Sequence, residues 1–338
     1  MKSKKVLIAS IMMTIFIIGL LDVQSFTFLS SYNYADGVQL NQIKDKCDKK
    51  VGKVSPDCLG QLTIIKHVNG GTTLASDFTM AIIGNNPSQN FFPGSELGTT
   101  INIEPGSYQV TEFAKSGYHI TTTSDCSGTI AAGESKICTV TNNAIPTTLI
   151  VKKQTNNTNF PSFREPFLSH DFQLAVIGNN PSPSTSFRGS EAGVHVNIDS
   201  GNYSVIETGS VVGYLPTYSP ECNGNINQGE TKTCTVTNTA YFGTLIINKQ
   251  VVGGTASPSD FSIGYFLECD PQFGCNNSGG VQGNEFGEAL LFVQGTYQIE
   301  ERPIPGYTVS YFGDCSGRLN AGDIKTCTVV NTANPTAN

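Results

Sequence analysis

The chain has 338 residues, a formal net charge of −7, ten cysteines, four histidines and no tryptophan. Its acidity argues against nucleic acid or an anionic membrane surface as a partner, because no basic patch is present to neutralise phosphates. The length is that of two or three domains, and the even cysteine count points to disulfides formed in an oxidising compartment.

At the start, Lys2, Lys4 and Lys5 precede an apolar run from Val6 to Leu21, and small residues follow at Val23-Gln24-Ser25. This is the layout of a secretory signal over residues 1–25, cleaved near Ser25. The alternative is an uncleaved N-terminal anchor, for which the run is shorter than the roughly 20 residues that span a bilayer. There is no second hydrophobic run, so a cleaved chain is expected to lack a membrane span. Residues 26–60, rich in Lys and Asp around Cys47 and Cys58, show no sustained periodicity and read as a short disulfide-closed segment.

A common pattern then occurs three times, over residues 61–144, 147–240 and 243–333, with 334–338 left as a tail. Each copy opens with an alternating strand whose apolar face carries a lysine: Leu62, Ile64 and Lys66, then Leu149, Val151 and Lys153, then Leu245, Ile247 and Lys249. Lys152 adjoins Lys153, and Lys153 is chosen because it is in phase with Leu149 and Val151. An Asp-Phe pair starts the next strand (Asp77-Phe78, Asp171-Phe172, Asp260-Phe261), the aspartate reading as a turn residue. Loops rich in Gly, Asn, Pro and Ser follow, Gly84 to Gly98 and Gly178 to Gly193, replaced in the third copy by ECDPQFGC and a Gly-rich stretch ending GNEFG. They read as connections between sheets or as binding loops.

A central strand then places Tyr108, Val110 and Glu112 on one face, as it does Tyr203, Val205 and Glu207, and Tyr297, Ile299 and Glu301. Gly-Tyr follows each time. Every copy closes with two cysteines twelve positions apart, the second on an alternating strand: DCSGTIAAGESKICTVTN, ECNGNINQGETKTCTVTN and DCSGRLNAGDIKTCTVVN. Because successive strand side chains point to opposite faces, Asn142 shares the inner face with Cys138 and Val140, Asn238 with Cys234 and Val236, and Asn331 with Cys327 and Val329. Each copy thus directs one Lys, one Glu and one Asn inward.

The cysteines fall into near pairs, Cys47 with Cys58, Cys126 with Cys138, Cys222 with Cys234, Cys269 with Cys275 and Cys315 with Cys327, a connectivity inferred from the repeat. None has CxxC spacing, and His67, His119, His170 and His195 occupy no recurring position, so no metal site is expected. No cofactor motif and no catalytic triad is present.

The ordered set K-x-V, G-x-Y-x-V-x-E followed by G-Y, and a closing V-x-N resembles the Cna B-type (SpaA-like, prealbumin-like fold) domains of bacterial surface proteins and pilins, from Leu62 to Ala333. The resemblance implies an all-β chain of three tandem seven-stranded sandwiches of reversed immunoglobulin-like topology. It further implies Lys–Asn isopeptide bonds, Lys66 to Asn142, Lys153 to Asn238 and Lys249 to Asn331, each assisted by Glu112, Glu207 or Glu301. Burial favours a neutral amine as nucleophile and a neutral acid as proton donor. The alternative is a buried ion-pair network with no covalent bond, the disulfides serving as staples.

The functional expectation is a secreted or cell-surface structural, adhesin-like stalk, not an enzyme apart from single-turnover self-crosslinking, with an unknown surface or matrix ligand. The alternative is an extracellular module binding glycan or matrix protein without isopeptide bonds. Asn156, Asn202 and Asn276 stand in N-x-Ser/Thr sequons, Asn156 and Asn276 in expected loops open to glycans. Short linkers around Ile145-Pro146 and Tyr241-Phe242 are expected to limit swivel between repeats.

Overall fold

The computed structural model describes residues 58–335. The signal expected over 1–25, Cys47 and nearly all of the 26–60 segment lie outside the described residues; Cys58 is disulfide-bonded. Among the described residues no helix is long and apolar enough to cross a membrane.

The first repeat runs β1 (Gly60–Asn69), β2 (Thr79–Gly84), β3 (Phe91–Pro93), β4 (Thr99–Ile103), β5 (Gly106–Glu112), β6 (Tyr118–Thr122), β7 (Ser127–Ile130) and β8 (Ser135–Ala144). These strands pair in two four-stranded sheets, β4-β1-β8-β6 and β3-β2-β5-β7. The second repeat follows the same course through β9 (Thr148–Asn156), β10 (Gln173–Ile177), β11 (Ser186–Arg188), β12 (Val194–Asn197), β13 (Gly201–Thr208), β14 (Tyr214–Tyr218), β15 (Asn223–Ile226) and β16 (Thr231–Ala240). The third does so through β17 (Phe242–Val252), β18 (Ser262–Cys269), β19 (Asn276–Gln282), β20 (Glu288–Val293), β21 (Gly295–Glu301), β22 (Tyr307–Gly313), β23 (Ser316–Leu319) and β24 (Ile324–Ala333).

The all-β tandem of sandwiches is as expected, but each repeat has eight strands where seven were anticipated. One of the eight lies inside the Gly/Asn/Pro loop: β3 is three residues long and pairs with β2, too short to display an alternation that a sequence reading can detect. In the third repeat its counterpart β19 lengthens to seven residues and takes Asn276, expected in a loop, into an exposed edge strand.

First and last strands of each repeat are parallel neighbours. Lys66 stands opposite Val140 and Val68 opposite Asn142 across β1 and β8, and the same offset recurs between β9 and β16 and between β17 and β24. The alternation read from sequence holds, with Leu62, Ile64, Cys138 and Val140 buried against Met80, Ile82, Tyr108 and Val110 of the facing sheet. A disulfide ties the turn entering β7 to β8 (Cys126–Cys138), with equivalents at Cys222–Cys234 and Cys315–Cys327. The central-strand tyrosine holds that turn: Tyr108, Tyr203 and Tyr297 hydroxyls donate to the carbonyls of Asp125, Glu221 and Asp314 at 2.8, 2.6 and 2.9 Å.

The chain divides into two compact units, one ending at Ile145 and the other beginning at Pro146. Within the second, repeats two and three share a continuous apolar core that includes Tyr214, Ala240, Phe242, Phe273 and Phe292. Only Tyr241 separates β16 from β17. Phe160 of the long β9–β10 loop packs its ring 5.1 Å from that of Phe242, and Phe273, within the turn closed by Cys269–Cys275, lies 5.6 Å from Tyr241. Gln294 binds these parts together, its amide N–H donating to Tyr241 O and its side chain bridging Asp270 and Ala321.

Candidate functional site

Inside every sandwich one sheet supplies the lysine and the asparagine and the other supplies the glutamate. Lys66 and Asn142 come from β1 and β8, while Glu112 ends β5, where it pairs with Met80 of β2. The lysines and asparagines are 0–1% exposed, which is exceptional for lysine. A charge so placed must find a partner or lose its proton.

The partners are close. Lys66, Lys153 and Lys249 Nζ lie 3.3, 3.0 and 3.1 Å from Oε2 of Glu112, Glu207 and Glu301. The other carboxylate oxygen accepts from the asparagine amide, at 2.6 Å for Asn142, 2.9 Å for Asn238 and 2.6 Å for Asn331. In the second repeat Lys153 Nζ donates to Asn238 Oδ1 at 2.5 Å, and in the third Lys249 Nζ donates to Asn331 Oδ1. The first repeat differs in that Asn142 Oδ1 accepts no hydrogen bond; Lys66 Nζ donates to the His67 carbonyl at 3.0 Å, a contact that Lys249 Nζ also makes to the Gln250 carbonyl at 3.3 Å.

Each carboxyl group therefore touches both nitrogens that a Lys–Asn condensation involves. Burial pushes all three lysines below the ordinary 10.5, with the glutamates opposing the shift. The floor beneath each amine is a phenylalanine, with Nζ 4.5, 4.5 and 4.4 Å from the ring centres of Phe78, Phe172 and Phe261. Those rings are held edge-on by Tyr118, Tyr214 and Tyr307, which accounts for the recurring Asp-Phe and Gly-Tyr pairs. The aspartates close the turn before the phenylalanine by accepting the backbone N–H of Leu74, Leu168 and Ser257.

Sequence reasoning did not single out the roof over each lysine. It is built by a recurring G-S/N-E-x-G: Gly94-Ser95-Glu96-Leu97-Gly98, Gly189-Ser190-Glu191-Ala192-Gly193 and Gly283-Asn284-Glu285-Phe286-Gly287. Ser95, Ser190 and Asn284 carbonyls each accept the backbone N–H of the buried lysine at 2.9 Å. The signal was present in the loops but lay beyond the strand pattern used to align the repeats. Among the described residues, no group of three or more His, Cys, Asp or Glu is placed to hold a metal ion.

Residues 57–149 match the family model of the prealbumin-like fold domain. No curated protein matches the chain. Similar solved structures include the Bacillus anthracis TIE protein, at 18% identity over 81% of this chain and 51% of that one with a TM-score of 0.44. The pilus adhesin SpaC from Lactobacillus rhamnosus GG, in its open conformation, is 11% identical over 83% of this chain and 44% of that one, with a TM-score of 0.33. Two B repeat units of the Staphylococcus aureus collagen binding protein are 14% identical over 82% and 76%, with a TM-score of 0.26. The chain spans about half the length of the first two. Its first repeat carries the family match, its second and third build the same paired sheets around the same cluster, and the chain is a tandem of three prealbumin-like sandwiches.

Proposed function

We propose that this chain is a secreted or cell-surface structural protein, an adhesin-like stalk, whose repeats are stapled by disulfides and closed by intramolecular Lys–Asn isopeptide bonds. The observation that carries the reading is the buried Lys, Glu and Asn cluster, repeated three times across sheets that the chain brings together from distant segments. Export is supported by the disulfides, which persist in oxidising surroundings.

In the reaction the lysine gives its proton to the adjacent glutamate, and the neutral amine attacks the asparagine carboxamide carbon. The glutamate passes that proton to the departing amide nitrogen, to which it is already hydrogen-bonded, and takes up the second proton that the attacking nitrogen sheds. One C–N bond forms, one breaks, and ammonia leaves. Each cluster reacts once, so the protein acts on itself and has no turnover.

Intact mass of the reduced, unfolded chain tests this. The expected deficit is one ammonia per repeat, restored one at a time by Glu112→Ala, Glu207→Ala and Glu301→Ala. Full mass in the parent chain would refute the bonds and leave three buried polar networks.

A second reading, an extracellular module binding glycan or matrix protein, is favoured by one observation on the first repeat. Phe91 and Phe113, 60% and 59% exposed, set their rings 6.0 Å apart on the outer face of a sheet. Binding screens on separate repeats discriminate, since a ligand lost on Phe91→Ala would place recognition there.

A further inference from the structure

The roof glycines occupy a space that admits no side chain. A Cβ on Gly94 would stand 2.5 Å from Ala75 O and 2.7 Å from Lys66 Cγ. At Gly189 it would stand 2.2 Å from Ser169 O and 2.5 Å from Lys153 Cγ, and at Gly283 2.2 Å from Pro258 O and 2.6 Å from Lys249 Cγ. None of the three is among the glycines with positive φ, so the requirement is for room and not for a left-handed backbone. Their N–H groups donate at 2.8 Å to the carbonyls of Phe78, Phe172 and Phe261, the same residues whose rings lie beneath the amines. One backbone segment is thereby fastened to the floor residue by the glycine and to the lysine by the residue after it.

We propose that Gly94, Gly189 and Gly283 are positioning residues for the cross-linking lysines: each lays bare backbone on the lysine stem, seals the amine from water and holds it beside the glutamate of the cluster. The assignment rests on the cross-linking reading for its chemical purpose, while the sealing itself is a property of the uncross-linked cluster. A methyl group meets an unyielding carbonyl as well as the lysine, so Gly→Ala must lift the segment and admit solvent. The amine then regains hydration, which favours its protonated, unreactive form.

The test uses the full chain, with Asn238→Ala keeping Lys153 a free amine. Acetylation of Lys153 by N-hydroxysulfosuccinimide acetate, read by peptide mass, is expected to be at least about tenfold faster when Gly189→Ala is added. Equal labelling in two folded variants would overturn the proposal. In chains that retain Asn238, Gly189→Ala is expected to suppress ammonia loss from the second repeat at neutral pH and to recover it at alkaline pH, whereas general destabilisation slows the reaction at every pH alike. If the parent chain itself loses no ammonia, the cross-linking reading fails, and the labelling comparison still decides the seal. Gly283→Ala with Asn331→Ala, and Gly94→Ala with Asn142→Ala, repeat the comparison should Gly189→Ala not fold. Failure of all three to fold would make the glycines determinants of folding and would overturn a positioning role.

Discussion

Lys153 shows how burial links chemistry to pH. Its pKa is lowered by burial, with Glu207 opposing, so between the lowered value and 10.5 the unfolded chain binds more protons than the folded one. Stability is therefore fully present above 10.5 and is lost as pH falls toward the folded value. In a chain kept open by Asn238→Ala, denaturation midpoints should rise from neutral pH toward pH 10; a flat profile would show that Lys153 titrates normally. Tyr297 has the opposite sign. Its phenol is buried and pushed up to about 12, so its contribution is intact below the ordinary 10 and lost as pH rises through about 12. Tyr297→Phe should cost about 1 kcal/mol at neutral pH, for the lost bond to Asp314 O, and should reduce the stability lost above pH 10.

The element that sets the third repeat apart is the turn closed by Cys269–Cys275 between β18 and β19. In sequence it reads as a connection between sheets or as a binding loop, yet its Phe273 enters the core shared with the second repeat. Asp270, in the same turn, forms a two-pronged pair with Arg318 at 2.8 and 2.6 Å. Phe273→Ala should destabilise by about 3 kcal/mol, as for other buried aromatic truncations, and calorimetry should then resolve separate transitions for repeats whose shared core is expected to melt as one in the parent. Replacing both cysteines with serine should cost about 2 kcal/mol by chain entropy, with the same loss of coupling. A single transition retained in both variants would show that the joint does not depend on this turn.

For the whole chain, two cooperative units are expected, one through Ile145 and one from Pro146 onward. Residues 146–338, produced alone, should melt at the temperature of the corresponding transition in the full chain. On the cross-linking proposal the mechanical consequence is large, because the bond would bypass the 85 residues separating Lys153 from Asn238. Pulling on the parent under reducing conditions should release no extension from that repeat. Glu207→Ala should release roughly 280 to 300 Å, at 3.3–3.6 Å per residue. Equal extension in both would exclude a covalent path between first and last strands.

What the sequence determined by itself was the inward set. Strand side chains alternate with a period of two, so Lys66, Glu112 and Asn142 could be placed on the core side from their phase with Leu62, Tyr108 and Val140 alone, and the threefold recurrence reinforced that reading. Phase does not say which strand lies beside which, nor which sheet faces which. That Lys66 and Asn142 sit on adjacent parallel strands while Glu112 reaches them from the opposite sheet is decided by non-local pairing and by the packing of two sheets. The roof glycines and the joint around Gln294 belong to the same class. Their roles depend on space and hydrogen bonds supplied by distant segments, and an isolated run of residues carries no record of what will be packed against it.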